Sequence, residues 1–545
     1  MKLRKTYRLF IAVLMVLFLT MGTPLLALAS QDDALGEVRS LLENRYVDVV
    51  SDDVLEAQTV QEMLDKLGDR HTQYLSAEDY DYFLGSLDRS FSGIGIELEM
   101  VAQGVLVTKV FEGYGAAKSG IKPGDIIIQA AGDSFAAKTS EFCVSRLRGA
   151  AGSMVDVKVK RGTQTFDISI ERMVIELPLI HSEVLENHIG YVLVYSFGLE
   201  TATQFDEHVR ALQEKGVDSW IIDLRNNGGG YTQTALDLLG FIIGRENAVI
   251  LKNRSSLSIL YKATKQDYTL DTLEQPVVFL TNSYTGSSSE IVTAAVKDHE
   301  KATIIGDTTF GSGRVKALLP LSNGDYLKMT INRFFSPHNY AIDEVGIQPH
   351  MNMSGVDELQ TAVLMLKNNA LIREDSGDKA GYLQLNAGPN DFAISLEDMR
   401  KSENWELGMK ILDSAYVTTT LQTGTDEGWE PFHELYLKDR SKIYYPDYVR
   451  AGDLPNIPLD KVFTVTYNKA IDWKGVTSES VELINATTGE RIKSEFAFPS
   501  DRIMTVTPET ELKPGTEYWL VLHSTIEGAN GTKVTGGVAV ARTVE

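Results

Sequence analysis

Cysteine is almost absent from these 545 residues: Cys143 stands alone, so no internal disulfide can form and stability must come from sizeable cores. Basic runs are missing beyond the N-terminus, and the formal net charge is -23. That argues against nucleic acid or an anionic membrane as the main partner. After the first segment no apolar run reaches the roughly 20 residues that a spanning helix needs. His338 and His350 are isolated, and no His/Asp/Glu spacing resembles a ligand set, so neither metal nor cofactor is expected. Low-complexity tracts and short-period repeats are absent as well.

What is present is ordinary globular composition, 43% hydrophobic and 23% charged, in a chain long enough for several domains. Residues 1–30 open with Lys2, Arg4, Lys5 and Arg8, continue with an apolar run from Leu9 to Leu19, and end in "ALAS" at Ala27 to Ser30. This is the pattern of a secretory signal, with an uncleaved anchor helix as the alternative. The expected location is therefore secreted or extracytoplasmic, in association with the cell envelope.

Residues 31–87 follow a helical period, with Leu35, Val38, Leu41 and Leu42 on one face. Residues 88–173 switch to short glycine-punctuated strands with a helix at "TSEFCVSRLRG", where Cys143 reads as a small core residue. In 174–369, buried-strand runs such as "SWIIDLR" and "PVVFLTN" alternate with helices, implying a largely parallel α/β sheet. Residues 370–448 are polar, with "REDSGDKAG" reading as a linker, and carry no functional signal. Residues 449–545 alternate in the manner of a β-sandwich.

Two stretches can carry chemistry. In "LTNSYTGSSSEIVTAAV" an apolar strand ends in small polar residues and passes straight into an amphipathic helix, with Glu290 in its first turn. A hydroxyl at such a junction is exposed, and the first helical amides face whatever it attacks; a plain serine-rich N-cap is the competing explanation. In "IIDLRNNGGG" a buried strand runs into Gly228, Gly229 and Gly230, where the backbone can approach a ligand closely. An oxyanion hole, a phosphate-cradling turn and a simple tight turn are the readings, although the Lys-Ser/Thr pair of a Walker loop is missing.

Together these pieces resemble the C-terminal processing (tail-specific) serine peptidases, over about Asp69 to Leu366. "GDRHTQYLSAEDYDYF" is similar to that family's segment before its PDZ module, and "FSGIGIELE" with "AAKSGIKPGDIIIQAAG" to the module itself. "IIDLRNNGGG" resembles the family's DLR-N-N-P-G-G element, with Gly228 in place of proline, and "SYTGSSSEIV" its S-A-S-A-S-E-I element. The resemblance implies a helical arm, a PDZ module, a crotonase/ClpP-like α/β peptidase core and protein or peptide substrates, with the PDZ module selecting chain ends or gating the active site. It implies Ser287 as nucleophile, Ser288 and Ser289 being alternatives if the loop is shifted. The amides of Ser288 and of Gly229 or Gly230 become the oxyanion donors. In the PDZ-like module, amides of Gly93, Ile94, Gly95 and Ile96 are placed to hold a terminal carboxylate, the next strand to accept a peptide edge, and the helix near Phe142 to Leu147 to close the groove. The oligomeric state is left open.

One departure matters. The family's base is a lysine in T-F-G-K-G-x-V-Q, and here the element reads "TFGSGRVK", with Ser312 at the lysine position and Lys316 at the glutamine. An unassisted serine hydroxyl is a poor nucleophile, so another group must take the proton. Lys316 is one candidate, though four residues along a strand is roughly 13 Å. His71 is another, with Glu344 as a supporting carboxylate, as in tricorn-type relatives. Arg314 stays protonated and suits a surface or substrate-carboxylate contact. The alternative to an active enzyme is an inactive peptide-binding pseudopeptidase at the cell surface. The tail resembles Ig-like domains of bacterial surface proteins, which implies contact with the wall or envelope.

Overall fold

The computed structural model describes residues 31–186, 188–264, 272–273, 276–373, 377–418, 421–432 and 439–545. The signal-like segment at 1–30 and residues 374–376 of the expected linker lie outside them. The chain divides into two compact units, residues 1–80 with 316–331, and residues 81–315 with 332–545.

In the first unit, helix α1 (Gln31–Arg45) and helix α2 (Val60–Leu67) bury Val38, Leu42 and Met63 with Leu327 and Met329. Helix α2 starts where Thr59 Oγ1 accepts the Glu62 N–H at 3.1 Å and stops at Gly68, whose φ of 67° only glycine adopts cheaply. The stretch expected to be helical throughout also contains strand β1 (Gln73–Leu75), which pairs Gln73 with Lys328.

The second unit begins with a ribbon, β2 (Ser90–Gly93), which later pairs with residues 173–176. It leads into a sheet of β3 (Ile96–Val101), β4 (Gly104–Val110), β5 (Ile126–Ala130), β6 (Met154–Arg161) and β7 (Gln164–Glu171), with helix α3 (Ser140–Leu147) beside it. Strand β3 is an edge: among the described residues it pairs with β4 alone. Cys143 is fully buried in this module's core, and burial pushes its thiol up, as a small core residue requires.

The central sheet runs in the order β8 (Ile180–Leu185), β9 (Ile189–Val194), β10 (Ser219–Asp223), β11 (Val277–Thr281), β12 (Thr303–Gly306), β13 (Met351–Asn352). All neighbours are parallel except the first pair. Alternate residues point to opposite faces. Trp220, Ile222, Val277, Phe279 and Ile304 pack on one core, whereas Ile221, Val278, Leu280 and Ile305 pack on the other.

That second core corrects the expectation for residues 370–448. The described residues of this segment include a four-stranded sheet and the helices Leu396–Arg400 and Trp405–Thr418, and Leu383, Phe392 and Ile394 share this second core with the central sheet. The same core takes in Trp405, which lies 5.4 Å from Trp519 of the terminal sandwich and donates its indole N–H to the Ala486 carbonyl at 3.0 Å. The segment is a packed layer joining sheet to sandwich. The sandwich itself has sheets of four and three strands.

Candidate active site

Two loops leave the C-terminal ends of the adjacent parallel strands β10 and β11, where open α/β sheets place their sites. The first is anchored by a buried cluster. Arg225 donates to both oxygens of Asp223, at 2.6 Å for Nη2, and its Nη1 donates to Glu358 at 2.8 Å. Burial opposes the guanidinium charge, but the two carboxylates outweigh it and raise its pKa. The Tyr191 hydroxyl donates to the same Asp223, and burial with that neighbouring charge pushes the phenol up.

The two loops are laced together by backbone contacts. The Gly286 N–H donates to the Asn227 carbonyl, Thr285 Oγ1 to the Leu224 carbonyl, and the Asn226 N–H to Asn282 Oδ1. Ser288 Oγ donates to the Gly230 carbonyl at 2.9 Å and Ser289 Oγ to the Asn227 carbonyl at 2.9 Å. Both are buried, so the shifted alternatives on Ser288 and Ser289 have their hydroxyls tied to backbone. Ser287 differs. It caps helix α4 (Ser288–Asp298) at φ 55° and ψ −116°, a sparsely populated conformation for a residue with a side chain. Its side chain is half-buried and shares a reciprocal capping box with Glu290 at the start of the helix.

Close approach explains the glycines. A Cβ on Gly229 would lie 2.8 Å from Ser287 Cβ and 2.9 Å from the Ser288 nitrogen. The Gly229 N–H, however, donates to Asn227 Oδ1 at 2.9 Å. This corrects the expectation that either glycine can serve as an oxyanion donor: the Gly229 amide is committed, whereas those of Gly230 and Ser288 have no hydrogen-bond partner among the described residues.

The residue that organises the site is Glu290, fully buried at the third position of the helix. Its Oε1 accepts from Thr309 Oγ1 and the Gly311 N–H, both at 2.7 Å. Its Oε2 accepts from the N–H groups of Ser287 and Ser312, both at 2.8 Å. Burial pushes this carboxyl up and the four donors work against that rise. The capping carboxylate thus clamps the "TFGSG" loop against the start of the helix, bringing the backbone of Ser312 and that of Ser287 to one oxygen. Sequence reasoning gave Glu290 only a dipole role; no local signal reports a partner about 20 positions away.

The other candidates fall as follows. Strand β14 (Arg314–Pro320) starts after Ser312, so the expected continuous strand from 312 to 316 is corrected: Ser312 lies in the loop and Lys316 in the strand. Lys316 and His71 belong to the first unit. There the His71 backbone N–H donates to Asp69 Oδ1 at 3.0 Å, and Arg70 Nε donates to His71 Nε2 at 3.3 Å. Asp69 is buried, which alone would raise its pKa, but donation from Thr72 and Thr330 and the nearby imidazole hold it below the usual carboxylate range. Glu344 is 82% exposed and faces Arg314 Nη2 at 3.7 Å, a surface pair lacking the fixed position that an orienting carboxylate needs. Arg314 itself donates to Asp343 at 3.0 Å. In the PDZ-like module, Gly93 lies in the β2 ribbon opposite Met173. The Ile94 and Gly95 carbonyls accept from Ala116 and Phe111, and the N–H groups of Ile94 and Gly95 make no hydrogen bond among the described residues. Gly95 has φ 85°. Ile96 opens edge strand β3.

Comparison with known proteins follows the same divisions. The profile of Peptidase family S41 matches residues 188–353, that of the PDZ domain residues 92–171, and that of the bacterial Ig-like domain residues 451–542. The carboxy-terminal processing protease CtpB of Bacillus subtilis (strain 168) is 30% identical over 344 residues, covering 62% of this chain and 70% of that one. CtpA of the same organism is 29% identical over 324 residues, covering 59% and 69%. The photosystem II D1 C-terminal processing protease superposes with a TM-score of 0.39 at 22% identity, over 59% of this chain and 92% of that one. With a sequence likeness that spans most of the relative's length and a PDZ domain ahead of the core, the chain belongs to peptidase family S41, the carboxy-terminal processing serine proteases.

Proposed function

We propose that this chain is an exported endopeptidase of the cell envelope that cleaves protein or peptide substrates through an acyl-enzyme on Ser287. The observation that carries the assignment is the strained, half-buried Ser287 at the helix entry, clamped through Glu290 to the loop holding Ser312. Attack by Oγ on a peptide carbonyl would place the developing oxyanion near the free amides of Ser288 and Gly230. The PDZ domain would recruit substrates by their C-termini, with the carboxylate at the amides of Ile94 and Gly95 and the peptide added to strand β3.

With no lysine at 312, His71 is one candidate base, an imidazole being a group suited to proton transfer. The charged Asp69 beside it would stabilise the imidazolium. Lys316 is the competing base. Hydrolysis of an unstructured protein by the chain and by Ser287→Ala, His71→Ala and Lys316→Ala decides between them. Ser287→Ala is expected to remove turnover by a factor on the order of 10⁶. Loss in His71→Ala with activity kept in Lys316→Ala supports the histidine; the reverse supports the lysine. A wild-type chain that binds peptides and cuts none overturns the assignment.

The glycine loop offers a second check. Gly229→Ala would press a methyl onto Ser287 at a φ of 108°. The expected result is a fall in kcat/KM of roughly 100-fold or more, with unchanged far-UV circular dichroism.

A further inference from the structure

The terminal Ig-like domain has an open flank. Its four-stranded sheet ends in β15 (Val449–Ile457) and its three-stranded sheet ends in β16 (Phe463–Thr466). Both edge strands line one cleft of about 640 Å³, with Leu520, Leu522 and Ala539 of the inner face among its lining.

The free side of β16 is fixed by its pairing. The Tyr467 N–H donates to the Arg502 carbonyl, and the antiparallel register sets Thr464 opposite Thr505 and Thr466 opposite Ile503. Hydrogen-bonded pairs alternate in such a ladder, so Thr464 and Thr466 turn their N–H and C=O groups away from the partner strand. No strand meets them there among the described residues. Tyr467 also lines the cleft, and its hydroxyl is shielded from solvent without a hydrogen-bond partner.

Charge selects the occupant. Lys461, Lys469 and Lys533 line the cleft and no acidic residue does, in a chain carrying 75 Asp and Glu against 52 Lys and Arg. Glu527, whose backbone bridges that of Lys533, is not part of the lining. We infer that this flank is a binding site for an extended, acidic peptide segment, which adds to β16 as a further strand while its carboxylates meet the three lysines. The site lies apart from Ser287 and from the PDZ groove and does not depend on the peptidase mechanism.

The test uses the full chain carrying Ser287→Ala, so that the probe stays intact. The probe is a labelled alternating Glu-Val peptide of about twelve residues, long enough for one strand. A Lys-Val peptide and inorganic polyphosphate are the comparisons. Saturable, salt-sensitive binding of the Glu-Val peptide is expected, with slowed amide hydrogen exchange across residues 463–467. Combined Lys461→Glu, Lys469→Glu and Lys533→Glu should weaken it by about tenfold or more, while the same three changes in the Ser287 chain leave proteolysis unchanged. Absence of binding, equal binding by the triple variant, or binding without protection at 463–467 overturns the inference. Polyphosphate binding with the Glu-Val peptide excluded also overturns it, making the flank a polyanion site.

Discussion

Replacing Glu290 with alanine is expected to lower kcat/KM by roughly 100-fold or more and to destabilise the second unit by about 3–5 kcal/mol. Four donors would lose their acceptor at once: the N–H groups of Ser287, Gly311 and Ser312, and Thr309 Oγ1. Each sits where water has little access, so each becomes an uncompensated buried polar group. The catalytic loss follows from position, because the same carboxylate ties the Ser287 amide to the "TFGSG" loop. Thr309 is doubly engaged: its Oγ1 accepts the Ile347 N–H at 2.7 Å, so loosening it reaches the backbone of Ile347 as well. Glu290→Gln separates the two effects. The amide keeps the volume but offers one acceptor oxygen and turns an NH₂ toward N–H donors. Its stability cost should be smaller than that of alanine and its kinetic cost nearly as large. Urea unfolding alongside steady-state kinetics reads both; wild-type turnover in either variant would sink the clamp.

A second large effect is expected on acidification. His350 immediately precedes strand β13. Its Nδ1 accepts the Ile304 N–H at 2.9 Å, and Gly388 packs so tightly on the ring that a Cβ there would lie 2.9 Å from Nδ1. Burial, with Lys297 nearby, pushes its pKa from 6.5 to about 4. The folded chain therefore keeps the imidazole neutral while the unfolded chain takes up a proton below its ordinary value. Stability from this residue is fully present above pH 6.5, declines as pH falls and is lost by pH about 4, a total of about 3 kcal/mol. His350→Asn retains an oxygen near the Nδ1 position and removes the titration. Melting curves from pH 7 to 4 should converge for the two proteins at the acid end. Parallel curves would remove His350 as the cause.

How much of this was legible beforehand differs from element to element. The PDZ-like module, the alternation of strands and helices around "SWIIDLR" and "PVVFLTN", and the serine-rich helix entry are local patterns, readable from a few neighbouring residues. The missing lysine was also a matter of reading one position. Residues 370–448 were opaque because half-buried strands look polar until a facing surface exists; Trp405 gains its meaning only from Trp519.

The sequence by itself determined the family, the order of domains and the departure at Ser312, since motif order and residue identity are properties of the chain. Only the tertiary structure decided that Gly229 spends its amide on Asn227, that Ser288 and Ser289 are tied to backbone carbonyls, and that Glu290 holds two distant loops together. The physical reason is the same in each case. A hydrogen bond is directional and needs a partner within about 3 Å, and for these groups the partner comes from a loop about 20 or more residues away or from a turn whose geometry that loop imposes.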